Sequence, residues 1–405
     1  MSHAFSFPRP GHEVQLLQGS VELFPALIEA IDDARHEVRL ETYIFDFAGA
    51  AESVAAALER ASERGVRVRV VVDDFGTQPP PLVWRHRFER AGVGWRVYAP
   101  LGWMGMLWLG SWRRLHRKLC VVDGEIAFCG GINILDDLHD PTYGTLPAPR
   151  FDFAVRVRGP LVAEAQASMT RLWWRIQAVR DIQHARLGGA IQSLRASRVG
   201  RVRSQRPGAV EVRHAKAALV MRDNVRNRAR IERAYRRAIG RAREEIIVAN
   251  AYFVPGRKMR RALVAAARRG VKVRLLLQGR YEYFMQYYAA RPVYGALLRA
   301  GIEIHEYSPT FLHAKVAVID GHWATVGSSN LDPLSLLLAR EANIVIDDRA
   351  FAGELHRRLM RAIEAEGRVM SADEYGKRPW RQRFMEHVAL AIMRLALIVQ
   401  GKKYL

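Results

Sequence analysis

The strongest constraint on this chain is a stretch that it contains twice. Residues 313–330 read His313-Ala-Lys315-Val-Ala-Val-Ile-Asp320-Gly321-His-Trp-Ala-Thr-Val-Gly327-Ser328-Ser-Asn330. Nearly two hundred residues earlier stands His116-Arg-Lys118-Leu-Cys-Val-Val-Asp123-Gly124-Glu-Ile-Ala-Phe-Cys-Gly130-Gly131-Ile-Asn133. The shared skeleton is H-x-K-x4-D-G-x5-G-[GS]-x-N. Residues two apart on a strand face the same way, so each copy presents an imidazole and an ammonium side by side. Asp123-Gly124 and Asp320-Gly321 read as tight hairpin turns into a second strand. That strand ends in small residues and an asparagine carboxamide.

The flanks repeat as well. Glu37–Phe45 alternates polar and apolar residues as a half-buried strand does, and Glu245–Val254 is its counterpart. Val21–Ala34 has helical periodicity, with Ser20 placed as an N-cap. Glu52–Arg64 and its counterpart in the second half, Lys258–Arg269, are helices stopped by Gly65 and Gly270. Strands follow at Val66–Asp74 and from Val271. Alternating strand and helix, stated twice, predicts an α/β chain of two pseudo-repeated α/β/α sandwich domains. The expected divisions are residues 1–186, a Gly/Ser-rich linker at 187–210, a second domain at 211–368, and a basic amphipathic tail at 369–405.

Two imidazoles, two ammoniums and two carboxamides together suit a phosphodiester. Cations and donors meet the non-bridging oxygens, one histidine attacks phosphorus, and the other protonates the leaving oxygen. A neutral nucleophilic histidine needs a carboxylate on its other nitrogen to hold its tautomer. Asp123 and Asp320 stand at the turn, so geometry makes them structural. Asp152 and Glu341, each just before a strand-like run, are better placed for that role. Neither copy has a two-histidine metal spacing, and the lysines already bring positive charge, so no metal or other cofactor is expected.

Net charge is +22, with arginines crowding the stretch from Arg195 to Arg243. Such a surface favours polyanions, either nucleic acid or an anionic membrane face, or is simply solvated. Cys120 and Cys129 lie in apolar runs and read as reduced core residues. No signal-peptide core and no apolar run of spanning length is present. Two stretches do not repeat. One is the loop holding Trp103, Met104, Met106, Leu107, Trp108 and Trp112, followed by Arg113 and Arg114. It either lies on an apolar surface or packs within its own domain. The other is Trp380–Leu405, whose Phe384, Val388, Ile392, Leu395 and Val399 line one helical face opposite Arg383, His387 and Arg394. It lies on a membrane or against protein.

At the doubled motif the chain resembles the phospholipase D superfamily, over about residues 14–350. The resemblance implies two α/β domains with a metal-independent site at their junction and a phosphohistidine intermediate. By that pattern His116 is the nucleophile and His313 the general acid and then base. Lys118, Lys315, Asp123 and Asp320 also count with the site, supported by Asn133, Asn330 and Ser328. Within the superfamily the chain is similar to bacterial cardiolipin synthases lacking N-terminal transmembrane helices. That implies a peripheral enzyme on the cytoplasmic side of the membrane. Its substrate would be phosphatidylglycerol and its partner an anionic phospholipid membrane, with no obligatory nucleic acid. Rival readings are a lipid-hydrolysing phospholipase D and a nucleic-acid phosphodiesterase, whose base-stacking aromatics are usually interleaved with cations. Here the aromatics cluster with Met and Leu.

Overall fold

The structure, a computed structural model, describes residues 8–99, 114–140, 143–183, 186–198, 215–223, 227, 229–280, 284–332, 339–376 and 378–399. It divides into two compact units, Met1–Asp136 with Ala154–Leu219 and Asp137–Phe153 with Val220–Leu405.

In the first unit, strands Glu37–Thr42, Arg67–Asp73 and Gly94–Tyr98 run parallel. Helices Ala50–Glu63 and Leu82–Ala91 supply the crossovers. The motif hairpin, Lys118–Val122 and Ile126–Gly130, then adds antiparallel beside Glu37–Thr42, and Phe153–Arg158 adds beside that. The second unit repeats this order. Glu245–Asn250, Lys272–Gln278 and Glu303–Tyr307 are parallel. The hairpin Lys315–Ile319 and Trp323–Gly327 adds antiparallel, followed by Ala339–Asp347. The strand order β–α–β that the repeat implied is therefore present in both units. Each has its own apolar core, built on Val68, Val70 and Leu58 in one and Val248, Leu275 and Leu263 in the other.

Several expectations need correction. The strand Glu37–Thr42 is buried at every position, not half-buried. Helix Leu161–Gln183 covers its polar face, where Gln166 donates to Glu37 and Arg117 donates to Ser168. The polar residues are paired internally, Glu37 with Arg39 and Glu41 with Arg117. A buried ion pair offsets its own desolvation only while both partners are present. Ser20 is not the cap of the first helix, which begins at Gly19. There the Gln18 N–H donates to Glu22 Oε2 at 2.8 Å, so the carboxylate reaching back does the capping.

Part of the expected linker is ordered structure. Leu187–Arg198 is a helix, held by a hydrogen bond from Ser193 Oγ to Asp181 Oδ2 (3.0 Å) and by burial of Ala190. Its glycines suggested a break, but Gly189 lies against the Asp181 side chain, where a small residue suits close packing. The division of the chain also differs, because residues 137–153 belong with the second unit.

In helix Trp380–Val399 the buried face is Glu386, Ala389 and Leu390, not the Phe384–Ile392 stripe. Glu386 is buried because it pairs with Arg378. Phe384 is 61% exposed and Ile392 49%. The whole Trp103–Trp112 loop lies outside the described residues. No helix among those described is long and apolar enough to cross a membrane.

Candidate active site

Each motif is built in the same way from its strand outward. Asp123 and Gly124 both have positive φ (51° and 72°), as do Asp320 and Gly321 (49° and 61°), the backbone of a type I′ hairpin turn. The Asp123 carboxylate accepts the backbone N–H groups of Arg35, His36 and Glu37 at 2.7–2.8 Å. Asp320 accepts those of Arg243, Glu244 and Glu245 at 2.9–3.0 Å. Partial burial alone would raise both carboxyls, yet these amides hold each below its usual pKa. Each aspartate ties its hairpin to the start of the neighbouring strand. A five-residue strand that begins at the motif lysine leads to it, roughly 16 Å along the chain direction.

The histidines stand just before the motif strands rather than within them. In the second unit, His313 Nδ1 lies 2.7 Å from Asp152 Oδ2. Asp152 is 2% exposed, and its other oxygen accepts the Phe153 N–H at 2.8 Å. The backbone sets this alignment, since His313 N–H donates to Phe151 O and Phe151 N–H to Phe311 O. With Nδ1–H donating to the carboxylate, Nε2 is the nitrogen left for chemistry. The fully buried Lys315 donates to the His313 carbonyl, and its Nζ lies 4.0 Å from Asp152 Oδ2. His313, Lys315 and Asp152 thus form one cluster.

In the first unit, the His116 ring centroid lies 4.9 Å from that of Tyr43. Lys118 Nζ donates to the His116 carbonyl at 2.9 Å and lies 5.4 Å from the Tyr43 ring. The Asn133 carboxamide accepts the Ile44 N–H through Oδ1 (3.2 Å), which directs its nitrogen away as a donor. Asn330 is 2% exposed at the matching place. Ser328 Oγ donates to the fully buried Glu341 and accepts the Ala342 N–H at 3.1 Å. Pairing register puts Asp152 and Glu341 at equivalent positions of the repeat. Each stands two residues before the residue paired with its motif glycine, Ala154 with Gly130 and Asn343 with Gly327.

One pair of supporting residues carried no motif signal. Asp73 Oδ2 accepts the Leu115 N–H at 2.6 Å, and Oδ1 accepts the Phe75 N–H at 2.9 Å. Gln278 Oε1 accepts the Leu312 N–H at 3.2 Å. Both acceptors end the equivalent strand, and both grip the residue immediately before a motif histidine. Burial pushes the Asp73 carboxyl up to about 6 against the pull of its amide donors and Arg114. The internal repeat was the available signal, since Asp73 and Gln278 align once the two halves are superposed. Tyr43 aligns with Ala251 and so is particular to the first motif.

A family model described as "Cardiolipin synthase, PLD-like domain" matches residues 27–140 and 235–363. Cardiolipin synthase B of Salmonella typhi is 37% identical over 382 residues, covering 92% of this chain and 85% of that protein. The Escherichia coli (strain K12) protein of the same name is 36% identical over 381 residues, with the same coverage. Cardiolipin synthase A of Cronobacter sakazakii is 28% identical, covering 93% of this chain and 74% of that one. Among solved structures, phosphatidylserine synthase of Haemophilus influenzae has the same fold, with a TM-score of 0.67, 11% identity and 96% coverage of both chains. The doubled motif and this fold define a phospholipase D-like protein. Within that class, the chain belongs to the cardiolipin synthase family.

Proposed function

We propose that the protein is a phosphatidyltransferase that makes cardiolipin from two molecules of phosphatidylglycerol and releases glycerol. The observation that carries the chemistry is the His313–Asp152 contact beside buried Lys315, within a motif that the chain holds twice. An imidazole held in one tautomer next to a fixed ammonium is equipped for proton transfer at a phosphodiester.

The first step has His116 attack the phosphorus of one phosphatidylglycerol. A nitrogen–phosphorus bond forms, the bond to the glycerol oxygen breaks, and the His313 imidazolium delivers its proton to that oxygen. In the second step the hydroxyl of another phosphatidylglycerol attacks phosphorus. His313 takes the hydroxyl proton as the nitrogen–phosphorus bond breaks, so both histidines are restored. Lys118 and Lys315 oppose the charge on the non-bridging oxygens, with Asn133 and Asn330 supplying carboxamides. Asp152 orients His313, and Glu341 is the corresponding acid of the other repeat. No cofactor enters either step.

The substrate's acyl chains stay in a bilayer, so the reading includes peripheral association with an anionic membrane on its cytoplasmic side. Exposed Trp380 and Phe384, flanked by exposed Arg381 and Arg383, support such contact, and Trp103, Met104, Met106, Leu107, Trp108 and Trp112 are proposed to add to it. Purified protein incubated with phosphatidylglycerol vesicles in EDTA tests the function by lipid mass spectrometry. Cardiolipin with equimolar glycerol is expected, and His116→Ala is expected to abolish both. Phosphatidic acid as the main product would assign hydrolysis instead.

A further inference from the structure

We infer that the helical hairpin formed by Leu161–Gln183 and Leu187–Arg198 is a docking surface for an anionic phospholipid bilayer. The inference rests on the lipid reading above but concerns a surface with no part in the motifs. Residues early in the second helix, Gly189 and Ser193, lie against Asp181 near the end of the first, so the two helices pack as antiparallel neighbours. Asp181 and Ser193 make the contact, and Ala178 on one helix and Ala190 and Ser197 on the other, three or four residues along, are buried on the same faces. Ser193 Oγ donates to Asp181, and Gly189 lies against the same carboxylate.

Four large apolar residues are left outside that contact. Val179 is 54% exposed, Ile182 56%, Ile191 55% and Leu194 45%. Each stands one position after a buried residue of the contact face, a rotation of about 100° in the same sense around its own helix. In an antiparallel pair, equal rotations away from the shared contact bring both sets onto one face. The four side chains therefore form a single apolar strip across the hairpin, which water would normally select against.

Charge decides the occupant. Arg175, Arg180 and Arg195 on the two helices and Arg186 just before the second are exposed, and among the described residues none of the four is in an ion pair. Asp181 is the sole acid in residues 172–198, and it is buried and hydrogen-bonded to Ser193 and Gln177. An apolar strip on a hairpin whose exposed charges, among the described residues from 172 to 198, are all guanidinium groups matches acyl chains beneath anionic headgroups. A second copy of this chain would place arginine against arginine.

Cys120 and Cys129 are both buried, which allows one added surface thiol to be labelled selectively. Ile191→Cys carrying an environment-sensitive fluorophore is expected to shift to the blue with vesicles of phosphatidylglycerol and phosphatidylethanolamine, and not with phosphatidylcholine alone. The double variant Ile182→Glu/Ile191→Glu is expected to bind those vesicles at least tenfold more weakly. Its turnover should fall on vesicles yet stay within twofold of the parent on detergent-dispersed phosphatidylglycerol. An unshifted label on vesicle-bound protein, or a shift on raising protein concentration without lipid, would overturn the inference. So would parental vesicle affinity in the double variant. If the label shifts while no cardiolipin forms on any substrate, the docking surface stands and the proposed reaction falls.

Discussion

The Nδ1 atom of His313 lies 2.7 Å from a carboxylate oxygen of Asp152, which precedes it by 161 residues. Asp152 follows the first motif in sequence but is built into the second unit with residues 137–153. A segment that follows the first motif thus supplies the carboxylate that meets the histidine of the second. Asp152→Asn keeps the shape but permits the wrong tautomer. It is expected to lower kcat by about 10²-fold or more, with the thermal midpoint changed little. Steady-state rates beside a melting curve check this, and parental kcat would remove Asp152 from the mechanism.

The turn aspartates predict the opposite pattern. Removing either carboxylate leaves three backbone N–H groups without their acceptor, at a cost on the order of 2–3 kcal/mol. Asp123→Ala and Asp320→Ala should therefore lower the urea midpoint while leaving the activity per folded molecule within a few-fold of the parent. Their folded pKa values are depressed, so the stability they contribute is present above about 4 and lost as pH falls through the folded value. Loss of kcat in a fully folded variant would place these acids in the chemistry after all.

Asp73 has the reverse sign. Burial raises its pKa from 3.8 to about 6, so its contribution is fully present below the unfolded value and is lost as pH rises through about 6. The shift corresponds to about 3 kcal/mol between pH 4 and pH 7. Asp73→Asn, which cannot ionise, should flatten that dependence. Melting curves for parent and variant at several pH values in this window provide the measurement. Parallel curves would show that Asp73 does not titrate there.

Two glycines in the second motif should differ sharply. A Cβ on Gly327 would lie 2.3 Å from Asn343 Cγ and 2.5 Å from the Ala342 carbonyl oxygen. Gly327→Ala is expected to cost about 1–3 kcal/mol through that overlap, with kcat reduced because Ser328 and Asn330 move with the strand end. Gly321 has open space around it and a φ of 61°, so Gly321→Ala meets only backbone strain, about 1 kcal/mol. Chemical denaturation of the two variants distinguishes a steric from a conformational cost.

By itself the sequence determined the repeat and, with it, most of the fold. Strand and helix periods are local properties of side-chain spacing, and the chain states them twice. It also singled out His116–Lys118 and His313–Lys315, because the chain states the same spacing twice. The distance of Asp123 and Asp320 from the lysines was legible too, since it follows from the rise of the strand. The tertiary structure alone decided which carboxylate meets His313, because nothing local links residues 152 and 313. It likewise decided that the polar face of Glu37–Thr42 is covered, that Gly188 and Gly189 lie in a packed helix, and that Asp73 and Gln278 brace the motif histidines. These are long-range contacts. A residue's own neighbours in sequence report its spacing, but only packing determines what lies opposite it.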